Sequence, residues 1–159
     1  MSLLAVHLLL ALGWAAVNGS FSLLSLVVGL VVGGLVLWIV RPLYGPTRYF
    51  SNVADTVRLA GFFVWELVVS CLQVAHDVLT PTHYSRPGVI AVPLDAETAF
   101  EITAVANLIT LTPGTMTLDV SEDRRTLWVH AMFVDDPDAL RAALKQGMER
   151  RVLEVTRGW

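Results

Sequence analysis

Hydrophobic positions divide the chain into an apolar first half and a patterned second half. Residues 1–40 contain no charged side chain, and the first 80 residues hold 6 of the 25 Asp, Glu, Lys and Arg residues. An uncharged apolar run of about 20 residues is long enough to cross the hydrocarbon core of a bilayer as a helix. The pattern therefore predicts a membrane region over residues 1–80 and a small α+β domain over residues 85–159.

Two apolar helices are predicted at about residues 3–17 and 21–40, joined by a turn at Asn-Gly-Ser and ended by Arg41-Pro42. Together they would form a transmembrane hairpin. The second helix carries Gly29 and Gly33, and glycines four residues apart leave a groove into which another helix can pack closely. We expect this groove to dock another subunit, although glycine is also common in membrane helices in general.

The third helix, at about residues 55–80, is amphipathic. At about 100° per residue, Asp55, Gln73 and Asp77 lie within about 20° of Glu66, and Ser70 lies about 40° away. The opposite side of the helix is apolar. Such a helix either spans the membrane with its polar stripe turned to a partner, or lies along the membrane interface.

The topology rules conflict for the third helix. The loop between the second and third helices carries Arg41, Arg48 and Arg58, which predicts a cytoplasmic loop. A third full span would then place the C-terminal domain outside the cell. If that domain is cytoplasmic, the third helix must lie in the interface or be steeply tilted, or the loop must break the charge rule. Of these arrangements we predict a transmembrane hairpin followed by a membrane-embedded amphipathic helix.

Glu66 is an acid deep within an apolar run, and an acid in a membrane segment is by default a candidate for moving protons or cations. The alternative is a polar contact to a neighbouring helix or to water at the headgroups. We extend the same two hypotheses, an ion path or a polar contact between subunits, to Gln73 and Asp77.

The second half predicts the order βαββα. Residues 89–94 form a strand, Asp95 is the expected N-cap of a helix that ends near Leu111, and residues 116–121 and 126–134 form a hairpin. Asp136-Pro137 starts the last helix, and its predicted buried stripe is Leu140, Leu144, Met148, Val152 and Val155. This order predicts a three-stranded sheet covered by two helices.

Composition excludes several classes of function. A net charge of −3 gives no basic surface for nucleic acid. The single cysteine, Cys71, rules out a multi-cysteine metal site, and the spacing of the four histidines (His7, His76, His83 and His130) is unlike that of metal ligands. Because the chain also has no phosphate-binding loop and no nucleophile elbow, we expect neither a cofactor nor an enzyme.

Several segments resemble one known family. These are Asn107 to Thr115 (NLITLTPGT), Leu118 to Val120, Leu127 to Ala131 (LWVHA), Glu66 to Ala75, and Glu149 to Val155. The chain is similar along nearly its whole length to the E subunit of the Mrp (or Mnh) multisubunit cation/proton antiporters. Cys71 and His76 depart from the residues expected there, but both lie outside the Thr-Pro-Gly-Thr motif.

The resemblance implies an accessory, non-catalytic subunit of a sodium/proton antiporter in the bacterial plasma membrane. Its implied partners are large antiporter-like subunits, small membrane subunits and the lipid bilayer. Subunit docking is expected, beyond the two glycines, at Asn107, Thr110, Thr112, Pro113, Gly114, Thr115 and His130. For the Thr-Pro-Gly-Thr motif, shaping of the helix-to-strand connection is the alternative. For the whole chain, the alternative is a stand-alone membrane-anchored module that senses a ligand.

Overall fold

A computed structural model describes residues 2–44, 47–81 and 84–158 and divides the chain into two compact units, residues 1–50 and 51–159. The first unit holds two apolar helices. The second holds a long helix, a three-stranded sheet and further helices that cover the sheet.

In the first unit, α1 spans Leu3–Val17 and α2 spans Leu23–Ile39, followed by a short 3-10 turn at Arg41–Leu43. The start of α2 lies two residues after the predicted Phe21, because the Ser22 side chain accepts from the backbone N–H of Ser25 and caps the helix. Gly19, at φ 62°, makes the turn between the helices.

The long helix α3 spans Tyr49–Leu79 and begins six residues before the predicted start at Asp55. Residues 49–54 contain no helix breaker, so the helix extends over them. Their polar Ser51 and Asn52 interrupt the apolar pattern from which the start was predicted. Within the described residues, α3 is the one helix that by length and composition is able to cross a membrane. At 15 and 17 residues, α1 and α2 are shorter apolar helices.

The sheet consists of β1 (Gly88–Pro93), β2 (Thr115–Val120) and β3 (Thr126–Ala131) in the order β1-β3-β2, with both pairings antiparallel. Residues 121–125 close the β2–β3 hairpin, where Arg124 adopts φ 58°. The Asp123 carboxylate accepts from the Ser121 hydroxyl and the Arg125 backbone N–H, and these bonds lower its pKa. A bulge interrupts the pairing between Thr117 and Asp119.

Helix α4 (Ala99–Leu111) connects β1 to β2. The prediction that Asp95 caps this helix is wrong, because Thr98 is the cap. The Thr98 hydroxyl accepts from the backbone N–H of Glu101, and the Glu101 carboxylate accepts from the backbone N–H of Thr98, which forms a reciprocal capping box. Asp95 instead pairs with Lys145 at 2.9 Å.

After β3, α5 spans Pro137–Leu144, a π-helical turn covers Lys145–Glu149, and α6 spans Arg150–Arg157. The predicted start is confirmed, since Asp136 caps α5 and Pro137 is its first residue. Of the predicted stripe, Leu144, Met148 and Val152 are buried, whereas Leu140 and Val155 are half-buried.

One face of the sheet carries the core. Ile90, Val92, Leu127 and Val129 point into it and meet Val105, Ile109, Leu144, Met148 and Val152 from the helices. Leu59 and Phe62 of α3 pack against the same cluster. The other face of the sheet stays open, and Val89, Met116, Leu118 and Trp128 are exposed there.

Candidate functional site

The polar stripe of α3 faces the α+β domain across a cavity of about 260 Å³. Glu66, Ser70 and Gln73 line one wall, and the Thr-Pro-Gly-Thr turn, residues 112–115, lines the other. The remaining wall is largely apolar and includes Phe62, Phe133, Leu144 and Met148. Two groups of residues that the sequence analysis selected separately therefore meet at one place.

The Thr-Pro-Gly-Thr turn is held by its own hydroxyl groups. Helix α4 ends at Leu111, and the buried Thr112 donates its hydroxyl to the Leu108 carbonyl at 2.9 Å. Thr115 donates its hydroxyl to the Ile109 carbonyl at 2.7 Å. Gly114 adopts φ 86°, which favours glycine, and it faces Val74 of α3. The turn is thus a fixed helix-to-strand connection that rests on α3.

Thr110 extends this arrangement into the sheet. Its hydroxyl donates to the Ala106 carbonyl at 2.8 Å and accepts from the Thr117 backbone N–H at 3.1 Å. The side chain thereby joins the end of α4 to the bulged part of β2. These two hydrogen bonds explain by local structure why position 110 is a threonine.

Glu66 is half-buried in the cavity wall, and within the described ranges it has no ion-pair partner. A carboxylate in a partly open polar cavity is able to bind a proton, a cation or a hydrogen-bond donor. Gln73 lines both this cavity and a neighbouring one of about 210 Å³. Both predicted interpretations of Glu66 therefore remain predictions.

Asp77 has a clear structural contact. Its side chain is buried, at 3% exposed, and one carboxylate oxygen accepts from the backbone N–H groups of Tyr84 and Ser85 at 2.5 and 3.0 Å. A buried carboxylate needs such donors. Asp77 therefore fixes the end of α3 to the segment that leads into β1.

Asn107 and His130 lie outside the cavity wall. Asn107 is exposed on α4, and half-buried His130 belongs to β3, where it is paired with Val89 and Met116 across the sheet. Both of these neighbours are exposed on the open face of the sheet. The predicted docking residues thus occupy more than one surface of the domain.

Gly29 and Gly33 are buried against α1 of the same chain. A Cβ atom at Gly29 would lie 2.7 Å from the Ala11 carbonyl oxygen, and one at Gly33 would lie 3.1 Å from the His7 ring. The groove predicted from these glycines exists, and α1 fills it. A contact of the two glycines with a second subunit stays a prediction.

His7 is a polar link that the sequence analysis did not select. Its Nε2 atom donates to the Leu30 carbonyl oxygen over 2.7 Å, and its Nδ1 atom is hydrogen-bonded to the Tyr49 hydroxyl. The signal available in the sequence was a lone polar residue within the apolar run of residues 3–17.

A buried ion pair closes the far end of the α+β domain. Arg157 donates to both carboxylate oxygens of Glu101, at 2.8 and 2.7 Å, and Thr156 adds its hydroxyl at 3.0 Å. The guanidinium holds the pKa of Glu101 well below its usual range, against the opposing effect of burial. The same hydrogen bonds raise the pKa of Arg157. The sequence contains the signal for the capping box. It does not predict Arg157 as a partner of Glu101, because the two residues are far apart along the chain.

Within the described part of the chain, no three His, Cys, Asp or Glu side chains come together as metal ligands. His83 lies outside the described residues. Glu149, which is buried, instead accepts from the backbone N–H groups of Asp95 and Ala96 at 2.6 and 2.9 Å. Three buried acids, Asp77, Glu101 and Glu149, are therefore bound to backbone donors.

Comparison with known proteins gives a consistent result. The family described as Na+/H+ ion antiporter subunit matches residues 7–155. The chain is 30% identical to the E subunit of the Na(+)/H(+) antiporter of Alkalihalophilus pseudofirmus and 31% identical to that of Bacillus subtilis, in each case over 96% of both chains.

Solved structures extend the likeness to the fold. A chain of the Mrp complex from Dietzia is 30% identical, with a TM-score of 0.51 over 64% of this chain and 96% of that one. A chain of an archaeal membrane-bound sulfane sulfur reductase is 22% identical, with a TM-score of 0.60 over 94% of this chain and 96% of the other, and this likeness shows a shared fold alone. The chain belongs to the family of E subunits of the Mrp-type Na+/H+ antiporters.

Proposed function

We propose that this chain is a non-catalytic accessory subunit of a multisubunit cation/proton antiporter, required for assembly of the complex and for ion transport. The observation that carries the proposal is the family match across residues 7–155. Relatives of nearly the same length are named as the E subunit of an antiporter, and they are parts of a transporter rather than enzymes.

The implied partners are the other antiporter subunits and the bilayer. Apolar side chains of α1 and α2, such as Leu4, Leu8, Leu24 and Val31, are exposed on this chain by itself. Exposed apolar surface of this extent indicates contact with lipid or with other membrane subunits. We place α1 and α2 as a transmembrane hairpin in the plasma membrane, with the α+β domain on the cytoplasmic side.

The open face of the sheet is our proposed docking surface on the α+β domain. It carries Val89, Met116, Leu118 and Trp128, together with the predicted docking residue His130. An aromatic residue among exposed apolar neighbours is typical of an interface anchor. Asn107 and the Thr-Pro-Gly-Thr turn belong to the same proposal, the turn acting chiefly by fixing α4 against α3.

The first experiment is affinity purification of the tagged full-length chain from its native membrane in mild detergent, followed by mass spectrometry. Large polytopic antiporter subunits in the eluate would support the proposal. A lone, monodisperse chain would contradict it, and would favour a ligand-sensing module that uses the 260 Å³ cavity.

A second experiment separates an accessory role from a place on the ion path. Glu66→Gln keeps the size of the side chain and removes its charge. We expect the complex to assemble and sodium/proton exchange in membrane vesicles to persist. Loss of exchange in an intact complex would place Glu66 on the ion path instead, with Ser70→Ala, on the same cavity wall, as the matched control.

A further inference from the structure

We propose that α3 lies along the surface of the bilayer, with one face on the α+β domain and the opposite face in contact with lipid. This position of the helix in the membrane does not depend on the role of the chain within the antiporter.

The inner face of α3 is engaged along most of its length. Leu59 and Phe62 pack against the core of the domain, Glu66 lines the cavity, and Asp77 binds the backbone of residues 84 and 85. From Leu59 to Asp77 this face runs for about 27 Å at 1.5 Å per residue. That distance approaches the full thickness of the hydrocarbon core, about 30 Å.

A spanning α3 would therefore take the domain into the membrane with it. The Arg151 guanidinium carbon lies 3.8 Å from the centre of the Phe62 ring, so a permanent cation stands beside the first half of α3. Placing a cation and the surrounding polar surface in hydrocarbon is costly. Packing of this helix on a charged domain fits the membrane surface and not the membrane interior.

The outer face of α3 is apolar from end to end. The exposed large side chains on it are Val53, Val57, Val64, Val68, Leu72 and Leu79. Small residues, Ala54, Ala60, Gly61, Cys71 and Ala75, are exposed between them, and this face has no charged residue. From Val53 to Leu79 this continuous apolar face is about 39 Å long, at 1.5 Å per residue, and it fits the boundary between headgroups and acyl chains.

The residues along one edge of α3 indicate how deeply the helix lies in the membrane. Arg58, Trp65 and His76 all lie about 80–100° from Glu66 on the same side of α3, at about 100° per residue. Arginine and tryptophan favour the membrane interface, and Trp65 stands near the middle of Tyr49–Leu79. In a spanning helix Trp65 would lie at the centre of the bilayer. In a surface helix all three residues of this edge lie at the same depth, near the interface.

Lipid is the occupant that the outer face fits best. The face has no hydrogen-bonding group beyond a thiol, and it has no charged residue that a protein partner would pair with. A surface helix also resolves the topology conflict, because Arg58 and the α+β domain, which both belong to the second unit, then lie on one side of the membrane.

The chain offers its own reporter for the test, since Cys71 is its single cysteine and is exposed on the outer face. In a Cys71→Ala background, Ala54→Cys, Ala60→Cys and Ala75→Cys add three further outer positions, and Ser70→Cys is an inner control. Each full-length variant is spin-labelled within the antiporter complex in phospholipid nanodiscs. Depth is measured from collision with oxygen and with a water-soluble nickel chelate.

We expect all four outer labels to share one depth, about 5–10 Å below the headgroups, and the Ser70→Cys label to be shielded from oxygen in the lipid. A spanning helix would separate positions 54 and 75 by about 31 Å along the membrane normal, and such a depth profile would overturn the proposal. Labels immobilised and shielded from both reagents would overturn it as well, by showing that another subunit covers the face. Repeating the measurement on the chain alone keeps this result separate from any failure of complex formation.

Discussion

At the scale of single residues, the Glu101–Arg157 pair joins two helices of the α+β domain. Glu101 is 3% exposed, and it also accepts from the backbone N–H groups at the start of α4. One carboxylate thus joins the first residues of α4 to the last residues of α6. A buried charge that loses its partner is strongly destabilising.

We therefore expect Arg157→Ala to lower the unfolding temperature of the full-length chain in detergent clearly. Arg150→Ala in the same helix is the matched control, because Arg150 is 72% exposed and its pair with Glu154 lies at the surface. Exposed pairs contribute at most about 1 kcal/mol. Equal losses in the two variants, measured by circular dichroism, would contradict the assigned role of Arg157.

The same carboxylate predicts a pH dependence. Because the pKa of Glu101 is lowered in the fold, its contribution to stability is complete above its usual pKa of 4.5 and is lost as the pH falls further towards the lowered value. We expect the unfolding temperature of the wild type to drop below about pH 4.5 by more than that of Glu101→Gln. Parallel pH profiles of the two proteins would count against this.

Gly29 offers a second residue-scale test, in the first unit. A Cβ at Gly29 would lie 2.7 Å from a backbone oxygen of α1, whereas at Gly13 nothing lies within 4 Å. We expect Gly29→Ala to cost about 1–3 kcal/mol through overpacking. Gly13→Ala, its control, should be neutral or stabilising by up to about 1 kcal/mol. Thermal unfolding in detergent compares the two, and a benign Gly29→Ala would show that α1 and α2 do not pack this closely.

At the scale of elements, α3 and the C-terminal helices are joined at the π-helical turn. A Cβ at Gly147 would lie 3.1 Å from the Phe62 ring, and Arg151 stacks on the same ring. The turn places a glycine and an arginine one helical turn apart on the surface that meets α3. This contact holds α3 on the domain at its N-terminal side, as Asp77 does at its C-terminal side.

Phe62→Ala removes both the packing and the cation–π contact. We expect a loss of about 2–3 kcal/mol, below the cost at a fully buried phenylalanine. Val64→Ala, on the outer face, is the control. Hydrogen exchange of residues 137–157 measures the effect, and unchanged protection in Phe62→Ala would show that α3 is held elsewhere.

The element order was largely predictable from the sequence, and the helix ends less so. Period-2 alternation in β2 and β3 and the Asp136-Pro137 start signal are local, and they appear in the structure close to where they were expected. The cap of α4 was misassigned because Asp95 and Thr98 are both good caps, and only Thr98 has a glutamate three residues later. The π-helical turn left no signal that distinguishes it from an ordinary helix.

The individual residues of the candidate site could be predicted from the sequence, but their meeting at one cavity could not. Glu66 and Gln73 were selected by helical periodicity, and Thr112 to Thr115 by resemblance. Their meeting at one cavity depends on how α3 packs on the domain. Contacts across long sequence separations, such as Thr156 and Arg157 with Glu101, are likewise set by tertiary packing.

At the scale of the whole molecule, the chain by itself leaves much apolar surface uncovered. Apolar side chains are exposed on α1, α2, the outer face of α3 and the open face of the sheet. In our proposals lipid covers the outer face of α3, and lipid or other membrane subunits cover α1 and α2, but the sheet face requires a protein. Small domains with one face uncovered are marginally stable by themselves.

We therefore expect the steady-state level of the chain to fall by roughly several-fold when it is produced without the other antiporter subunits, because unfolded protein is degraded. Quantitative immunoblots of membranes, with and without co-expression, measure this. Trp128→Ser should reduce co-purification with the large subunits, while Trp65→Ser, on the edge of α3, should not. Undiminished levels without partners would argue against dependence on a complex.

The π-helical turn at Lys145–Glu149 also bears on the history of the chain. Such a turn is equivalent to one residue inserted into an α-helix, with the faces before and after it preserved. Removal of one residue here, for example Gln146, should leave the buried sides of α5 and α6 on the core. A deletion at any other point of residues 137–157 would swing the following segment by about 100°. Among descendants of a common ancestor, length changes in this helix should therefore be concentrated at this turn.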